Sequence, residues 1–422
     1  MNRDRWSRRL RGAVATVALW LSFGSTPGRA IEELDVEENI ADLLPASFPG
    51  TERPSDPTTR PWALLPQLGY GPDTGPVVGI KFAHRDLLVE HANLDLNAVY
   101  ALNQQQSVGL SIGSPHLRND RVLVLLRAKY DLDPQHDFFG LGNNDVGPDP
   151  ASTHEFQEIA AGLTVGWRPW QRVALNFAIG LRQVDIRNGN RLDDCNGVSP
   201  CPYTPEAFPG LPGIDGGTIN PLAFSLVWNT RNDVMRPTRG WRFILKIVNA
   251  NQAFSTFKFT RFFIDGGYLR SFNHRRFVVG VRLNGEYIEA KAGQVPFWEM
   301  SELGGQDTLR GFFPHRFVGK ARVLLNGELR AKLVAFTFFD LWRVRIDGVL
   351  FGDAGRVFID SQDLEDEFQL DSSIISRIIN DFKYSYGFGL RIALAQALVA
   401  RIDVGFSEEN TGLLYLSFGH TF

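Results

Sequence analysis

The 422-residue chain is poor in the residues on which several classes of protein depend. It contains 2 cysteines and 3 methionines. Two cysteines exclude a disulfide-dense scaffold and a cysteine-rich zinc or iron–sulfur protein. The 8 histidines are scattered without the spacing of metal ligands, so we expect no metal and no cofactor. The formal net charge is -3, with basic and acidic residues interspersed, so we also expect no nucleic-acid partner.

The chain also lacks a long apolar run after residue 30, which excludes a transmembrane helix there. Residues 1–11 contain five arginines, residues 12–23 are apolar and uncharged, and Gly28-Arg29-Ala30 follows. This order predicts a secretory signal peptide over residues 1–30, rather than a buried helix or a membrane anchor. An exported chain without a transmembrane helix is either soluble or spans a membrane as a closed barrel.

The next part of the chain, residues 31–61, differs in composition from all that follows. Residues 31–44 are acidic, and their apolar side chains are spaced either as one helix face or within a solvated tail. Residues 45–61 contain five prolines, which is typical of an extended linker. We therefore predict a periplasmic N-terminal segment over residues 31–61 and one domain over residues 62–422.

Residues 62–422 alternate between apolar and polar side chains, as residues 322–333, 384–394 and 398–407 illustrate. A soluble β-sandwich also alternates, but these stretches reach the roughly ten residues that a tilted membrane strand requires. Their polar faces carry charged residues in mid-strand, which fits a wet interior. We count sixteen strands and predict an all-β fold, a sixteen-stranded antiparallel transmembrane β-barrel. Its long connections fall on one side, near residues 131–154, 187–218, 290–319 and 358–382.

Short motifs in the second half of the chain occur in a specific order. Residues 303–313 read Leu-Gly-Gly-Gln-Asp-Thr-Leu-Arg-Gly-Phe-Phe, and three further motifs are Asn326-Gly-Glu-Leu-Arg330, Phe351-Gly-Asp-Ala-Gly355 and Tyr386-Gly-Phe-Gly-Leu-Arg391. Together they resemble the barrel of the BamA/TamA-type outer-membrane assembly factors, the bacterial surface antigen family. Members usually carry POTRA domains before the barrel. Residues 31–61 are too few for one, so the resemblance is to a short form with the barrel alone.

The resemblance implies that the 290–319 loop folds into the barrel as a lid. The core of the lid motif is Leu309, Arg310, Gly311 and Phe312. In the family the loop arginine meets acidic groups on the wall, and alternation places Glu328 and Asp353 on inward polar faces. An arginine fork suits one or two carboxylates in a shielded site, whereas the alternative is an arginine in solvent. We also expect Trp298 and Phe312 to pack beside this site.

The function that the resemblance implies is not enzymatic. It is a barrel of the bacterial outer membrane, exported via its signal peptide, that assists insertion or translocation of outer-membrane polypeptides or lipid-linked cargo. Its partners would be outer-membrane lipids, unfolded client polypeptides and the barrel assembly machinery that inserts it.

Two alternatives remain, a passive porin or small-solute channel, and a lipid-hydrolysing barrel. The second rests on Gly109-Leu-Ser111-Ile-Gly113, a GxSxG pattern, with Asp215 as a possible partner. A nucleophile elbow needs a strand, a sharp turn and a helix, whereas Ser111 falls inside an alternating strand.

Two further features are consistent with a location in the bacterial cell envelope. Cys195 and Cys201 lie six positions apart in a polar loop. An oxidising compartment favours a disulfide between them over two free thiols. The final strand carries Tyr415, Phe418 and Phe422, which resembles a C-terminal recognition signal for barrel assembly.

Overall fold

The computed structural model describes most of the predicted barrel, in ten stretches of chain. The predicted signal peptide and N-terminal segment, residues 1–61, lie outside the described residues, as does Phe422. No helix among the described residues is long and apolar enough to cross a membrane. The described stretches are residues 62–85, 92–117, 121–143, 149–195, 197–233, 236–291, 293–338, 342–359, 382–394 and 398–418.

Strands make up nearly all of the regular structure. A single-turn helix, α1 (Thr204–Ala207), and a 3₁₀ turn, Phe297–Glu299, occur in loops. The strands are β1 (Trp62–Gly71), β2 (Gly75–Arg85), β3 (Asn93–Ala101), β4 (Gln106–Leu117), β5 (Val122–Phe138), β6 (Ser152–Trp170), β7 (Val173–Arg187), β8 (Gly217–Ile219), β9 (Leu222–Asn229), β10 (Gly240–Ala250), β11 (Phe259–Phe272), β12 (Phe277–Glu289), β13 (Ser301–Leu303), β14 (Phe317–Gly319), β15 (Ala321–Phe338), β16 (Trp342–Phe358), β17 (Lys383–Leu394), β18 (Leu398–Phe406) and β19 (Leu413–Phe418).

The strands close into a sixteen-stranded antiparallel barrel, so the predicted fold class is confirmed. Each barrel strand pairs with its sequence neighbour, and β1 meets β19 to complete the circle. β8 and β9 form one barrel strand, since both pair with β7. Pro221 lies at the break between them, where its missing N–H interrupts the ladder. β13 and β14 are a separate hairpin in the long loop that follows β12.

The alternation of the sequence sorts side chains between lipid and lumen. In β17, Tyr386 and Phe388 are exposed on the outer face, whereas Ser385 and Arg391 are buried on the inner face. Such an apolar outer band and polar interior suit a barrel in a bilayer. Because side chains alternate strictly along a strand, the inward carboxylates and arginines of neighbouring strands face the same lumen.

One predicted connection was wrong in extent. Residues 131–154 were expected to form a long loop, but β5 continues to Phe138 and β6 already begins at Ser152. The ladder persists because a bulge between Asp133 and His136 absorbs the irregularity around Pro134. This hairpin extends well beyond the roughly ten residues that span a bilayer. The predicted loop over residues 358–382 lies mostly outside the described residues.

Candidate functional site

The loop between β12 and β15, residues 290–320, folds into the lumen. Gly304 and Gly305 turn the chain, with φ angles of 119° and 91° that favour glycine. After this turn, Leu309 and Phe312 are fully buried against the wall. The apolar cluster that covers them also contains Leu303, Phe317, Leu324 and Val357.

Arg310, between these two anchors, is completely buried and meets carboxylates on two strands. Its Nε and Nη2 donate to the two oxygens of Asp353 on β16, at 2.9 and 2.6 Å. Its Nη1 donates to Glu328 on β15 at 2.6 Å. The guanidinium carbon also lies 3.5 Å from the ring centroid of Phe351, within cation–π range. The site is therefore a bidentate, shielded ion pair with an aromatic floor.

The carboxylates that hold Arg310 have further partners. Asp353 also accepts hydrogen bonds from Asn326 and Ser385, at 2.8 and 3.2 Å. Glu328 accepts a hydrogen bond from Arg330 at 2.8 Å and another from Arg391 at 3.3 Å. Such full pairing is required, because a buried charge is costly unless it is paired.

A third carboxylate, Asp403 on β18, extends this network to the last strands of the barrel. Arg391 and Arg401 both donate to it, at 2.6 and 2.5 Å. Arg401 also donates to Asp307 of the loop at 2.7 Å. The polar faces of the strands suggested that these residues point inward, but not that they share one site with Arg310.

Two glycines bring the backbone of the loop against β18. A Cβ on Gly405 would lie 1.9 Å from the carbonyl oxygen of Arg310. A Cβ on Gly311 would lie 2.3 Å from the carbonyl oxygen of Phe406. Any side chain at either position would push the loop away from the wall, so both glycines serve close approach rather than an unusual φ angle.

A domain model of the Omp85 superfamily matches residues 91–422. The chain belongs to the Omp85 superfamily. The match covers the inward loop and the barrel from β3 onward, and it confirms the resemblance seen in the motifs.

Solved structures are similar to this Omp85 barrel in fold. BamA from Haemophilus ducreyi lacking POTRA domains 1–3 matches with a TM-score of 0.59 and 17% identity, over 85% of this chain and 70% of that one. CdiB from Escherichia coli matches with a TM-score of 0.57 and 12% identity, over 96% and 74%. CdiB from Acinetobacter baumannii matches with a TM-score of 0.52 and 11% identity, over 85% and 59%. A comparison with curated proteins found no match.

The loop of this Omp85 barrel has a second attachment that the sequence did not suggest. Glu299 of the 3₁₀ turn pairs with Arg182 on β7 and with Arg261 on β11. Arg182 also donates to Glu158 on β6 at 2.7 Å. Trp298 belongs to this second site rather than to the Arg310 site, because its ring centroid lies 5.1 Å from the guanidinium carbon of Arg182. Its indole N–H donates to the carbonyl of Gly213 at 2.9 Å.

Three of the scattered histidines come together where the loop meets the β5–β6 hairpin. The ring centroid of His136 lies 4.9 Å from that of His154 and 4.8 Å from that of His315. His315 pairs with Glu302 across the β13–β14 hairpin. No group of three or more His, Cys, Asp or Glu side chains in the described stretches has the geometry of a metal site.

We expect the His315 contact to make the fold sensitive to pH. Burial lowers the pKa of His315, but Glu302, followed by Asp73 and Asp133, raises it to about 9. A raised folded pKa stabilises the protein fully below the unfolded value near 6.5, and this stabilisation is lost as pH rises through about 9. The thermal unfolding midpoint should therefore fall between pH 7 and 9.5.

The matched comparison is between two histidine variants. His315→Gln should flatten that pH dependence, whereas His274→Gln, in the exposed turn after β11, should leave it unchanged. The pH dependence can be followed by circular dichroism in detergent. Equal pH profiles for His315→Gln and the parent would contradict the assignment.

The remaining predicted residues lie in several places. Tyr415 faces the interior, where its hydroxyl donates to the carbonyl of Phe312 at 2.9 Å. The backbone of Phe418 pairs with Ala400. Cys195 and Cys201 are joined by a disulfide in the β7–β8 loop.

The serine of the GxSxG pattern lies within a regular strand. Ser111 is in β4, opposite Asp95 on β3 and Arg127 on β5. The strand continues through Gly113 to Leu117, so the sharp turn and helix of a nucleophile elbow are not formed.

Proposed function

We propose that this Omp85 barrel assists the insertion or translocation of outer-membrane polypeptides or lipid-linked cargo, without catalysing a chemical reaction. Its partners would be membrane lipids, unfolded client polypeptides and, for its own insertion, the barrel assembly machinery. Membership of the superfamily supports a role of this kind. The observation that carries the proposal is the seam between the first and last strands.

The seam is weakly paired within the described residues. β1 and β19 share one register position, Tyr70 opposite Leu416. By contrast, β1 pairs with β2 at ten positions, and β18 pairs with β19 at six. Each backbone hydrogen bond contributes about 0.5–1.5 kcal/mol, so, counted over the described residues, this joint is the least costly one to open. An unpaired strand edge is also a ready template for another strand.

The wall is short beside the seam. β1 has 10 residues, β18 has 9 and the described part of β19 has 6, whereas β6 has 19 and β15 has 18. At about 3.3 Å per residue, the short strands reach only about half as far as the long ones. The strands beside the seam thus only just reach the roughly ten residues that cross a bilayer, with no height to spare, and the bilayer would be thinnest there. Thin bilayer beside an open strand edge would lower the barrier for a client strand.

The docked loop holds one side of the seam. Besides the Tyr415 contact on β19, Arg316 of the loop forms a bidentate pair with Glu409, which follows β18, with both distances 2.8 Å. These contacts fix β18 and β19 to the lid. The lid would therefore hold the last strands in place while the edge of β1 receives the client.

A disulfide across the seam tests the proposal. Tyr70→Cys combined with Leu416→Cys places two thiols at the one paired position, and the native cysteines are already joined. Oxidation should abolish the assisted insertion of an unfolded small outer-membrane barrel into proteoliposomes, measured as protease protection. The control is Leu68→Cys with Val78→Cys, an outward pair that locks β1 to β2 instead.

The control pair should insert the client normally. Equal activity of the two locked proteins would reject the seam mechanism. Stable open levels in planar bilayers, unchanged by the seam lock, would instead support the porin. Loss of lipid hydrolysis in Ser111→Ala would support the enzyme.

A further inference from the structure

A small pocket at the end of the lumen where the short turns lie has five arginines among its eleven lining residues. Arg236 comes from the turn between β9 and β10, and Arg276 from the turn between β11 and β12. The strand residues Arg330, Arg345 and Arg391 complete the set. Asp347 is the one carboxylate in the lining of this pocket, which also contains Pro237, Thr238, Val278, Ala393 and Val399.

The carboxylates around the pocket do not balance its charge. Asp347 is held by Arg345 at 2.6 Å. Arg330 and Arg391 donate to carboxylates of the lid site, at 2.8 and 2.6 Å. Arg236 and Arg276 add two more positive charges, and the pocket lining holds no further carboxylate for them. The pocket therefore carries an excess of positive charge.

One of the arginines that line the pocket also has a donor without an acceptor. Arg391 is 1% exposed, and its Nε makes no hydrogen bond to the described part of the chain. A buried donor without a partner is unfavourable, so it favours a ligand that supplies an acceptor. This observation is independent of the charge excess, and both point to an anion.

We propose that this pocket binds a phosphate group from the periplasmic side of the barrel. Arginine forks match the oxygens of a phosphate, and several of them suit its two charges better than the single charge of a carboxylate. The cavity measures about 20 Å³, which admits part of one small group and excludes a chain segment. The group belongs to a free phosphate or to a lipid headgroup. The proposal does not depend on the insertion role.

The position of the pocket links it to the lid. Arg330 and Arg391 line the pocket and also bind Glu328. A phosphate in the pocket shares these two arginines with the carboxylate that holds Arg310. The ligand site and the lid site are thus adjacent parts of one charged network.

Titration of the purified full chain in zwitterionic detergent tests the site. Inorganic phosphate is added at constant ionic strength, held with chloride, and the heat of binding is measured. Arg276→Gln should weaken binding by about tenfold or more, as expected for the loss of a charge-assisted hydrogen bond. Arg275→Gln is the matched control, because it removes the same charge from the adjacent, exposed position outside the pocket.

A second titration separates the two sources of the group. Dihexanoyl phosphatidic acid, below its micelle concentration, carries the same group on a short lipid. Binding of inorganic phosphate that requires Arg276 supports the site with the phosphate group alone as the ligand. Binding of the lipid alone, again requiring Arg276, supports it with a headgroup. No binding of either probe, or equal weakening by Arg275→Gln, overturns the proposal.

Discussion

Arg310→Ala should release the lid from the wall and leave the barrel closed. Arg310, Glu328 and Asp353 all have fully buried side chains, so the variant leaves buried carboxylates short of a cation. Removing one partner of a buried pair costs about 3–5 kcal/mol. Glu328 keeps Arg330 and Arg391, but Asp353 keeps only neutral partners, so most of the cost falls on Asp353.

Hydrogen exchange of the amides of residues 304–316 measures this release in lipid vesicles. A loss of 3–5 kcal/mol speeds exchange through loop opening by about a hundredfold or more. Arg310→Lys keeps the charge but not the fork, and should give an intermediate rate. Arg275→Ala, in an exposed turn, should exchange as the parent does. An unchanged rate in Arg310→Ala would refute the docked lid.

The pair with Asp353 can be isolated by a double-mutant cycle. Asp353→Ala should open the loop to a similar degree, because it leaves Arg310 with one principal partner. The double variant should lose less than the sum of the two single losses, since neither charge is then left alone. Additive losses would show that the two side chains contribute independently.

Gly405→Ala should displace the loop at least as strongly, without any change of charge. The new methyl would lie 1.9 Å from the carbonyl oxygen of Arg310 and 2.9 Å from the nitrogen of Gly311. Both are backbone atoms, so no rotation of a side chain relieves the contact. Overpacking costs about 1–3 kcal/mol where a core can adjust, and more where backbone must move.

The same exchange measurement applies, with a glycine of the neighbouring wall as control. In Gly352→Ala, on β16, the new methyl would lie 4.0 Å from its nearest neighbour, an ordinary contact. Its loop should stay protected, as in the parent. Protection of the loop in Gly405→Ala would show that the backbone of the lid does not rest on β18.

The sequence predicted those features of the barrel that local alternation determines. A period of two places Glu328, Asp353 and Asp403 on inward faces, because each assignment needs only the neighbours along one strand. The strand number and the closed barrel followed, and the fold class is confirmed. The meeting of Arg310 with its carboxylates was expected from the family motifs, because alternation says nothing about where a loop lies.

The features that the sequence did not predict depend on contacts between distant segments. His136, His154 and His315 belong to two strands and a loop, and no spacing along the chain relates them. Glu299 reaches Arg182 across 117 positions of sequence. Likewise, the need for glycine at position 405 exists only once the loop backbone lies against β18. Such pairings depend on the register and on the path of the loop, which one sequence alone does not specify.

The two attachments of the lid make it a strut across the barrel. One end, at Glu299, is fastened to β7 and β11, and the other, around Arg310, to β15, β16 and the β18–β19 hairpin. A cylinder braced in this way resists flattening between the fastened arcs. A change in the circumference of the barrel is then accommodated mainly in the remaining arc, which contains the weakly paired seam between β19 and β1. Cutting either fastening should let the whole circumference deform and spread the same strain over every joint.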